Sequence, residues 1–455
     1  MKNNKTLNMT SGNPTRLLIL FAIPMLIGNL FQQAYNLADS IIVGKFVGSA
    51  ALAAVGSTGS VTFLFFSVCN GISSGAGIVT SQYFGAGDAQ RVKRAIANSA
   101  YLMFGASLVM GILAFIAAPS ILKFMETPAD ILPTATLYMR ISCLGVPLVG
   151  VYNYSSSMLR ALGDSRTPLY FLIVSCFLNV CMDLLCVCVF DMGVFGAAVA
   201  TIIAQLLAGG SCLIYALKTN PYFKLSREDF QVDRMVITQS IRLGIPLAMQ
   251  WAMIAVSTTA LQRFVNSFGT AAVAANTAVS RIEQLVHQPY GSLGAALATY
   301  SGQNYGAGKL DRVKDGLKHG MFMSAIFSLL MLVINQTLGR PIISIFVDDP
   351  EVISIGAQAL RLTSWFYIFL ATIYMTRGIL NGVGDALFAF INGVVEMICR
   401  IFLPMLIVLI PTVGMWGIWW TTGLSWLISA IFCLLRYFSW RKKTANTAAP
   451  MNTAA

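Results

Sequence analysis

Twelve long apolar runs occupy most of this 455-residue sequence and leave it few possible folds. Each run has at least the roughly 20 mostly apolar residues that a helix needs to cross a bilayer. The runs, numbered here as spans 1 to 12, cover residues 16–43, 51–78, 93–118, 133–159, 166–190, 194–217, 237–263, 271–299, 316–338, 355–380, 387–410 and 413–437. Only 11% of the residues are charged, so lipid must be the solvent for most of the surface. The sequence therefore predicts an all-α polytopic membrane protein with twelve transmembrane helices.

The basic residues are distributed unevenly between the two sides of the membrane. Of the 30 Lys and Arg, four lie opposite the termini (Lys45, Lys123, Arg263 and Arg340) and four lie within spans, which leaves 22 on the side of the termini. Short cytoplasmic loops carry such an excess. We therefore expect a cell inner membrane protein with both termini in the cytoplasm. The net charge of +12 arises from these loops and forms no continuous basic face, so we expect no nucleic-acid partner.

The second half of the chain repeats the first at an offset of 221 residues. TSQYFGAGDAQRVKRA at residues 80–95 matches SGQNYGAGKLDRVKDG at residues 301–316, and the same offset pairs Arg140 with Arg361. Repeats of this kind build transporters whose substrate lies where the halves meet. We expect two six-helix bundles related by an internal repeat. The predicted divisions are a cytoplasmic N-terminus (1–15), a first bundle (16–217), a linker (218–236), a second bundle (237–437) and a cytoplasmic tail (438–455), which we expect to be disordered from residue 444.

Charged side chains inside spans are costly in lipid, so each is a candidate functional residue. In the first half, Asp39, Asp183 and Thr201 fall in one layer about 6 to 11 Å below the surface opposite the termini, at 1.5 Å per residue. Asn179 lies one turn from Asp183 on the same helix face. Two carboxylates, an amide and a hydroxyl offer oxygen ligands for Na⁺, or a relay for protons. These four residues are the predicted cation-coupling site, and they hold a metal ion only if the ion is Na⁺.

Further polar residues lie inside other spans. Gln32 and Asn36 continue one polar stripe of span 1 with Asp39, and Pro24 interrupts the hydrogen bonds of that helix and permits a bend. In the second half, Glu283 precedes His287 by one turn, and it could serve either structure or the handling of substrate and protons. Glu396 precedes Arg400 by one turn, which favours an internal salt bridge. We assign Pro24, Glu396 and Arg400 structural or hinge roles.

The segment PMLIGNLFQQAYNLADSIIVGKFVG at residues 24–48, with its YNLAD core, resembles the first helix of the multidrug and toxic compound extrusion (MATE) family. FLNVCMD at residues 177–183 and the Q-x-x-G-A-G-x-x-x-R-V-K loops after spans 2 and 8 are similar to the same family. The resemblance implies a V-shaped pair of bundles that expels drugs in exchange for Na⁺ or H⁺. By motif match it implies that Asp39, Asn179, Asp183 and Thr201 form the cation site of the first lobe.

The same resemblance implies that Gln32 and Asn153 face the substrate chamber. The chain departs from the NorM-type branch, because span 7 has no acidic residue and span 10 has none before Asp385. That departure puts a Na⁺ site in the second lobe in doubt, and it is more similar to the DinF-like branch.

We therefore expect a secondary active multidrug efflux transporter that exports organic, mostly cationic compounds by H⁺ or Na⁺ antiport with alternating access. Substrate would contact Gln32, Asn36, Asn153 and Glu283, and membrane lipid would surround a monomer. The alternative is a flippase for lipid or lipid-linked oligosaccharide. We expect neither an enzyme nor a cofactor, because the sequence has no H-E-x-x-H motif and no phosphate-binding loop.

Overall fold

A computed structural model describes residues 6–125, 127–407, 410 and 412–447 of the chain. These residues form helices and short turns, with no strand among them. The first half contains α1 (Pro14–Ile42), α2 (Ser49–Gly85), α3 (Ala89–Phe124), α4 (Leu132–Ala161), α5 (Arg166–Asp183) and α6 (Gly193–Thr219). The second half contains α7 (Arg234–Asn266), α8 (Thr270–Gly306), α9 (Leu310–Ser344), α10 (Pro350–Ser364), α11 (Tyr367–Gly382), α12 (Ala386–Ile407) and α13 (Gly417–Thr447).

Side-chain caps mark where several of these helices begin. Asn13 accepts hydrogen bonds from the backbone of Thr15 and Arg16 at the start of α1. Asp233 and Asp349 cap α7 and α10 in the same way. Such caps satisfy the free N–H groups of a first helical turn. Each predicted span except span 10 coincides with one helix, and the capped helices α1, α7 and α10 begin two to five residues earlier than the corresponding apolar runs.

Two of the predicted spans differ from an ordinary apolar helix. Ten helices in the described part of the chain are long and apolar enough to cross a membrane. The pair α10 and α11 forms an eleventh span that bends by 51° at its break, so span 10 is not the single helix that the sequence predicts. Helix α8 has 37 residues but is not among these spans, because Arg281, Glu283 and His287 interrupt its apolar character. Contacts with α9 and α11 bury one side of α8, so protein rather than lipid surrounds part of this helix.

The two halves are helix bundles that meet along α1 and α2, where hydrophobic side chains of both halves share two cores. Helix α2 packs against α7 and α8 of the other half, and α1 packs against α8. Large aromatic side chains fill the core of the second half, among them Trp419, Trp426 and Tyr367. With α8 counted beside the eleven apolar spans, the two lobes contain the twelve helical segments that the sequence predicts.

The halves touch most closely at the membrane side that carries both termini. Gln82 of α2 donates a hydrogen bond to the carbonyl oxygen of Gly382 at 2.8 Å, and Gln303 of α8 donates one to the carbonyl oxygen of Ala161 at 3.0 Å. A methyl group on Gly85 would overlap the backbone of Gln303, and one on Gly306 would overlap the backbone of Gln82. We call this crossing of α2 and α8 the terminal seam.

A segment ahead of α1 lies on the terminal seam. The backbone N–H of Met9 donates to the side chain of Gln303 at 2.9 Å, and the Met9 carbonyl accepts hydrogen bonds from Asn304 and Arg312. Lys309 donates to the carbonyl of Thr10 at 2.9 Å. The predicted N-terminus is therefore packed against α8 and α9 from about residue 7 onward. Loss of these contacts would have to accompany any opening of the seam.

The tail differs from its predicted disorder over its first residues. Helix α13 continues to Thr447, so the prediction that disorder begins at residue 444 is wrong up to that point. Tyr437 is buried in a core formed with the terminal side of α8 and α9, and Trp440 packs against it. This anchor stabilises the last turns of the helix. Residues 448–455 of the predicted tail lie outside the described residues.

Candidate functional site

The two candidate carboxylates of the first half each lie beside a π-helical turn. Asp183 is the last residue of α5, and a π-helical segment follows at Leu184–Val189. Asp39 lies one turn before the end of α1, where a second π-helical segment follows at Val43–Val47. The two π segments pack against each other. π-helical turns are rare and occur frequently at functional sites. The backbone conformation therefore indicates the same two residues, Asp39 and Asp183, as the sequence does.

Asp183 lies in the interior of the first half. Its side chain is 0% exposed, and neither carboxylate oxygen has a hydrogen-bond partner among the described residues. Oδ1 of Asp39 is likewise buried and without a partner in that part of the chain. The two carboxyl groups are close enough for their charges to interact. A buried acceptor without a partner costs about 1 to 3 kcal/mol, so this site favours the arrival of a proton or a cation.

Asn179 and Thr201 are brought together next to Asp183. Nδ2 of Asn179 lies 3.4 Å from Oγ1 of Thr201, and Thr201 donates to the carbonyl oxygen of Ala197 at 3.1 Å. Oδ1 of Asn179 is buried and finds no partner among the residues that the structure describes. The amide and the carboxylates therefore direct several free oxygen atoms into one region, which is the donor chemistry that a hard cation prefers.

Sequence reasoning missed further residues around this region. Tyr35 and Gln205 line the same narrow crevice as Asn179 and Thr201. Tyr138 of α4 lies within electrostatic range of both Asp39 and Asp183. Gln205 lies one turn after Thr201, and Tyr35 lies one turn before Asp39, so helical spacing from the predicted residues could have identified both. Tyr138 comes from another helix, and only the packing of α4 reveals it.

The predicted substrate residues of α1 lie on the helix face that meets the second half. Asn29 of α1 donates a hydrogen bond to Ser292 of the second half at 3.3 Å. Gln32 and Asn36 follow Asn29 at spacings of three and seven residues, so they share the face that points at the other half, and both are exposed. Asn153 of α4 is half-buried. Pro24 is buried within α1, about one turn on the terminal side of this polar face.

In the second half, Glu396 and Arg400 form an ion pair. The distance from Oε1 of Glu396 to a terminal guanidinium nitrogen of Arg400 is 2.7 Å, and both side chains are buried. Arg400 also donates to the hydroxyl of Ser257 at 3.3 Å. The structure thus joins the two helix neighbours that the sequence pairs, and it ties them to α7.

Glu283 and His287 are not joined to each other by a hydrogen bond. Nδ1 of His287 lies 3.1 Å from the hydroxyl of Tyr374 on α11. Oε1 of Glu283 is buried without a partner in the described ranges. Arg377 of α11 lies 5.2 Å from the ring centre of Tyr374. The second half therefore contains a polar cluster of its own, with one free carboxylate oxygen.

The residues present could hold Na⁺ in the first half only through mixed ligands. No group of three or more His, Cys, Asp and Glu in the described chain could hold a metal ion. A Na⁺ ion at this site would need Asp39 and Asp183 together with the oxygens of Asn179 and Thr201. The free oxygens of the first three residues fit that requirement. A proton needs only one of the two carboxylates.

Comparisons with known proteins extend over nearly the whole chain. The MatE family model matches residues 24–185 and again residues 246–406, once in each half. The probable multidrug resistance protein YpnP of Bacillus subtilis is 29% identical over 440 residues, which cover 96% of this chain and 98% of that protein. An FAD transporter of Shewanella oneidensis is 26% identical and covers 86% of each chain. The solved structure of a MOP superfamily transporter from Pyrococcus furiosus superposes with a TM-score of 0.90 at 21% identity, covering 96% of this chain and 98% of that one.

Proposed function

This chain belongs to the MatE family, the multidrug and toxic compound extrusion transporters, and we propose that it exports organic, mostly cationic compounds in exchange for H⁺ or Na⁺. It is a multi-pass membrane transporter and not an enzyme. The names of its relatives as multidrug resistance proteins support drug export. The observation that carries the coupling proposal is the buried Asp183 carboxylate, which lacks a partner among the described residues and lies near Asp39.

Cation binding at this site would provide the driving force. A proton on either carboxyl group, or Na⁺ shared by both, removes the repulsion between Asp39 and Asp183 and satisfies oxygens that the fold leaves free. An ion that binds only one of two conformations shifts the equilibrium towards that conformation. A shift from 1:99 to 99:1 takes about 5.5 kcal/mol of differential binding. Relief of several buried acceptors at about 1 to 3 kcal/mol each is of that order.

The geometry of the halves supports the direction of transport. The terminal seam closes the chamber on the side of the termini, whereas Gln32 and Asn36 on α1 are exposed toward the other half. With both termini in the cytoplasm of a bacterial inner membrane, as the basic loops indicate, this conformation opens to the outside. It is the state in which drug leaves and the coupling cation enters. One chain supplies both halves, so we propose that a monomer suffices.

The substrate chamber would lie between the two polar faces. Gln32, Asn36 and Asn153 supply amide groups from the first half, and the free oxygen of Glu283 supplies negative charge from the second. A carboxylate in a chamber of low dielectric attracts an organic cation. Pro24 lies on the terminal side of Asp39 in α1. Bending there would couple occupation of the cation site to movement of the amides that contact the drug.

Transport by purified protein in liposomes tests this function. Liposomes containing the protein would be given a pH gradient or, separately, a Na⁺ gradient, and the movement of ethidium would be followed by fluorescence. We expect gradient-driven export that falls at least tenfold in Asp39→Asn and in Asp183→Asn, because neither amide can bind a proton or provide an anionic ligand. Asp191→Asn in an exposed loop is the matched control and should retain the native rate.

Absence of gradient-driven export by a well-folded native protein would overturn the proposal. Lipid-linked oligosaccharide in the same vesicles would then test the flippase alternative. If the native protein, Asp39→Asn and Asp183→Asn exported ethidium at equal rates, the protein would still be an exporter. The cation-coupling site would then not lie at these two residues of the first half.

An anionic substrate is the second candidate, and one feature of the second half favours it. Arg377 is buried and has no carboxylate within 4 Å among the residues described, whereas Arg400 is paired with Glu396. A relative is named an FAD transporter. Flavin dinucleotide supplied to the same vesicles separates the two substrate classes, since ethidium and the flavin both report by fluorescence. Movement of the flavin without movement of ethidium would replace the cationic substrate with an anionic one.

A further inference from the structure

Arg361, the repeat partner of Arg140, has no role in the transport site and lies on the outer wall of the second half. Gln358 and Arg361 lie three residues apart on α10, and Trp365 caps the end of that helix four residues further on, so the three share one face, and all are exposed. No carboxylate of the described residues lies within 4 Å of the Arg361 guanidinium, as the ion pairs found there all involve other residues. A guanidinium without a counter-ion on a membrane-spanning helix requires an explanation.

A groove of about 430 Å³ accompanies this arginine at the break between α10 and α11. Its walls are Gln358, Arg361, Leu362, Trp365, Phe366 and Trp420. The ring of Phe366 packs edge-on against Trp420 of α13 at 5.7 Å between centres. The break is fixed by Gln336 of α9, which donates to the Arg361 carbonyl at 2.8 Å. Residues of α9, α10 and α13 therefore shape the groove.

The surfaces around the groove face hydrocarbon. Trp420 begins an exposed apolar stripe on α13 that continues through Ile428, Ile431 and Leu435. Helix α9, on the other flank, exposes Leu329, Leu330 and Val333. Exposed faces this apolar on spanning helices contact acyl chains. The stripe on α13 provides a continuous track for such a chain below the groove.

The depth of Arg361 places its charge near a membrane interface. Trp420, which lines the groove beside Arg361, lies in the first turn of α13, and that helix begins at Gly417 on the side opposite the termini. The groove therefore lies near that membrane interface, and the long side chain of Arg361 can snorkel toward the headgroups. Trp365, 64% exposed, and Trp420, 40% exposed, are the residue type enriched at that level.

The corresponding position in the first half lacks this arrangement. Arg140 is half-buried, and its guanidinium lies 5.2 Å from the ring centre of Phe115. At the 221-residue offset, Leu144 stands in place of Trp365 and Val199 in place of Trp420. The repeat alone therefore does not account for the exposed arginine with its two indoles.

We propose that the groove between α10 and α13 is a phospholipid site in the leaflet opposite the termini, in which Arg361 binds the headgroup phosphate and an acyl chain lies along α13. Phosphate is the anion of that interface, and a guanidinium binds it through paired hydrogen bonds. The Gln358 amide and the indole N–H of Trp365, both on residues that line the groove, provide further donors. This site is separate from the transport chamber and does not depend on the transported substrate.

Lipid titration followed by native mass spectrometry tests the proposal. Delipidated full-length protein would receive phosphatidylglycerol, diacylglycerol with the same chains, or glycerol 3-phosphate. We expect phosphatidylglycerol to bind at least tenfold more tightly than diacylglycerol, and glycerol 3-phosphate not to displace it. Arg361→Gln should weaken phosphatidylglycerol binding about tenfold, the effect of losing a charge-assisted contact. Arg340→Gln removes an exposed charge from the same side of the membrane and should leave binding unchanged.

Three results would overturn the proposal. Native affinity in Arg361→Gln would exclude the arginine as the headgroup ligand. Equal binding of diacylglycerol would show a groove that recognises acyl chains alone, and displacement by glycerol 3-phosphate would show a site for free anions. Thermal unfolding of each variant checks its folding, and Trp365→Ala gives a second test of the same groove if Arg361→Gln proves unstable. That variant should also lose affinity for phosphatidylglycerol.

Discussion

The side-chain amide of Gln82 donates a hydrogen bond to the backbone carbonyl of Gly382, 2.8 Å away in the other half of the molecule. Gln303 makes the corresponding bond to Ala161, so two glutamines close the terminal seam in opposite directions. Each bond joins a long helix of one half to the end of a helix in the other. Rocking of the halves would have to break both.

Replacement of both glutamines should favour the conformation in which the seam is open. Each hydrogen bond contributes about 1 kcal/mol. Gln82→Ala with Gln303→Ala removes three of them, including the bond from the Met9 N–H to Gln303, and should shift the conformational equilibrium by roughly 150-fold. Hydrogen–deuterium exchange would then rise at residues 78–86 and 299–306. Gln262→Ala, on the opposite side of the membrane, is the control. Unchanged exchange at the seam in the double variant would contradict this role.

A methyl group at the helix crossing should obstruct closure of the seam. The backbones of α2 and α8 meet at Gly85 and Gly306, where an added Cβ would overlap the partner backbone. Backbone cannot rotate away as a side chain can, so Gly85→Ala and Gly306→Ala should each lower the export rate at least tenfold. Gly59→Ala, on the same helix α2 with open space around it, should be neutral. A native export rate in Gly85→Ala would show that the crossing does not need this contact.

Removal of one partner of the Glu396–Arg400 pair should destabilise the second half. Glu396→Gln leaves the buried guanidinium without its carboxylate, at a cost of about 3 kcal/mol. Replacement of both residues by leucine should recover most of that loss, because no charge remains buried. Unfolding temperatures of the three proteins in one detergent provide the measurement. If the double variant proved no more stable than Glu396→Gln, burial of an unpaired charge would not be the cause.

The linker between the halves should show a stability that depends on pH. Burial opposes ionisation of Asp229, but hydrogen bonds from the backbone N–H and the hydroxyl of Ser226 outweigh it and lower the pKa of this carboxyl, with help from Lys93 and Arg94. Gln90 of α3 donates to the same carboxylate at 2.9 Å. A lowered pKa in the folded state stabilises the protein above the pKa of the unfolded chain, and that stabilisation is lost as the pH falls through the folded value.

Asp229→Asn should therefore be less stable than the native protein at pH 7 by about 1 kcal/mol. The difference should begin to shrink as the pH falls below about 3.9, the pKa of an aspartate in the unfolded chain, so it should be smaller at pH 3 than at pH 7. Thermal unfolding at both pH values measures it, and Asp130→Asn in an exposed loop serves as the control. If the stability difference between Asp229→Asn and the native protein were the same at both pH values, the charge of Asp229 would not be its cause.

Much of this architecture can be predicted from sequence because it depends on spacing. The apolar runs locate the spans, the offset of 221 residues locates the second half, and i, i+4 spacing pairs Glu396 with Arg400. The break after α10 could not be predicted, because neither Pro nor Gly occurs in the connecting residues and the Arg361 carbonyl is bonded by the Gln336 side chain of another helix. The π turns beside Asp39 and Asp183 could not be predicted either, because no residue type in these segments indicates them and the two segments that pack together are distant in the chain.

The site was predictable in its residues but not in its contacts. Helical spacing brings Asn179 next to Asp183, whereas the approach of Thr201 depends on how α5 packs against α6. The packed segment around Met9 has a polar sequence that gives no indication of burial. Its position results from donors on α8 and α9 that are distant in the chain.

The reciprocal bonds of the terminal seam have the form of an isologous dimer contact, in which one surface patch pairs with its own copy. Each half contributes one glutamine that donates a hydrogen bond and one backbone carbonyl that accepts one. The two glutamines lie 221 residues apart, and so do the two carbonyls. A single ancestral half would already carry both parts of this contact and could have closed around a two-fold axis with a second, identical subunit. The acidic cluster of Asp39 and Asp183 occurs in the first half only. Fusion of the two copies into one chain would therefore be the step that allowed one half to bind the coupling cation while the other half diverged.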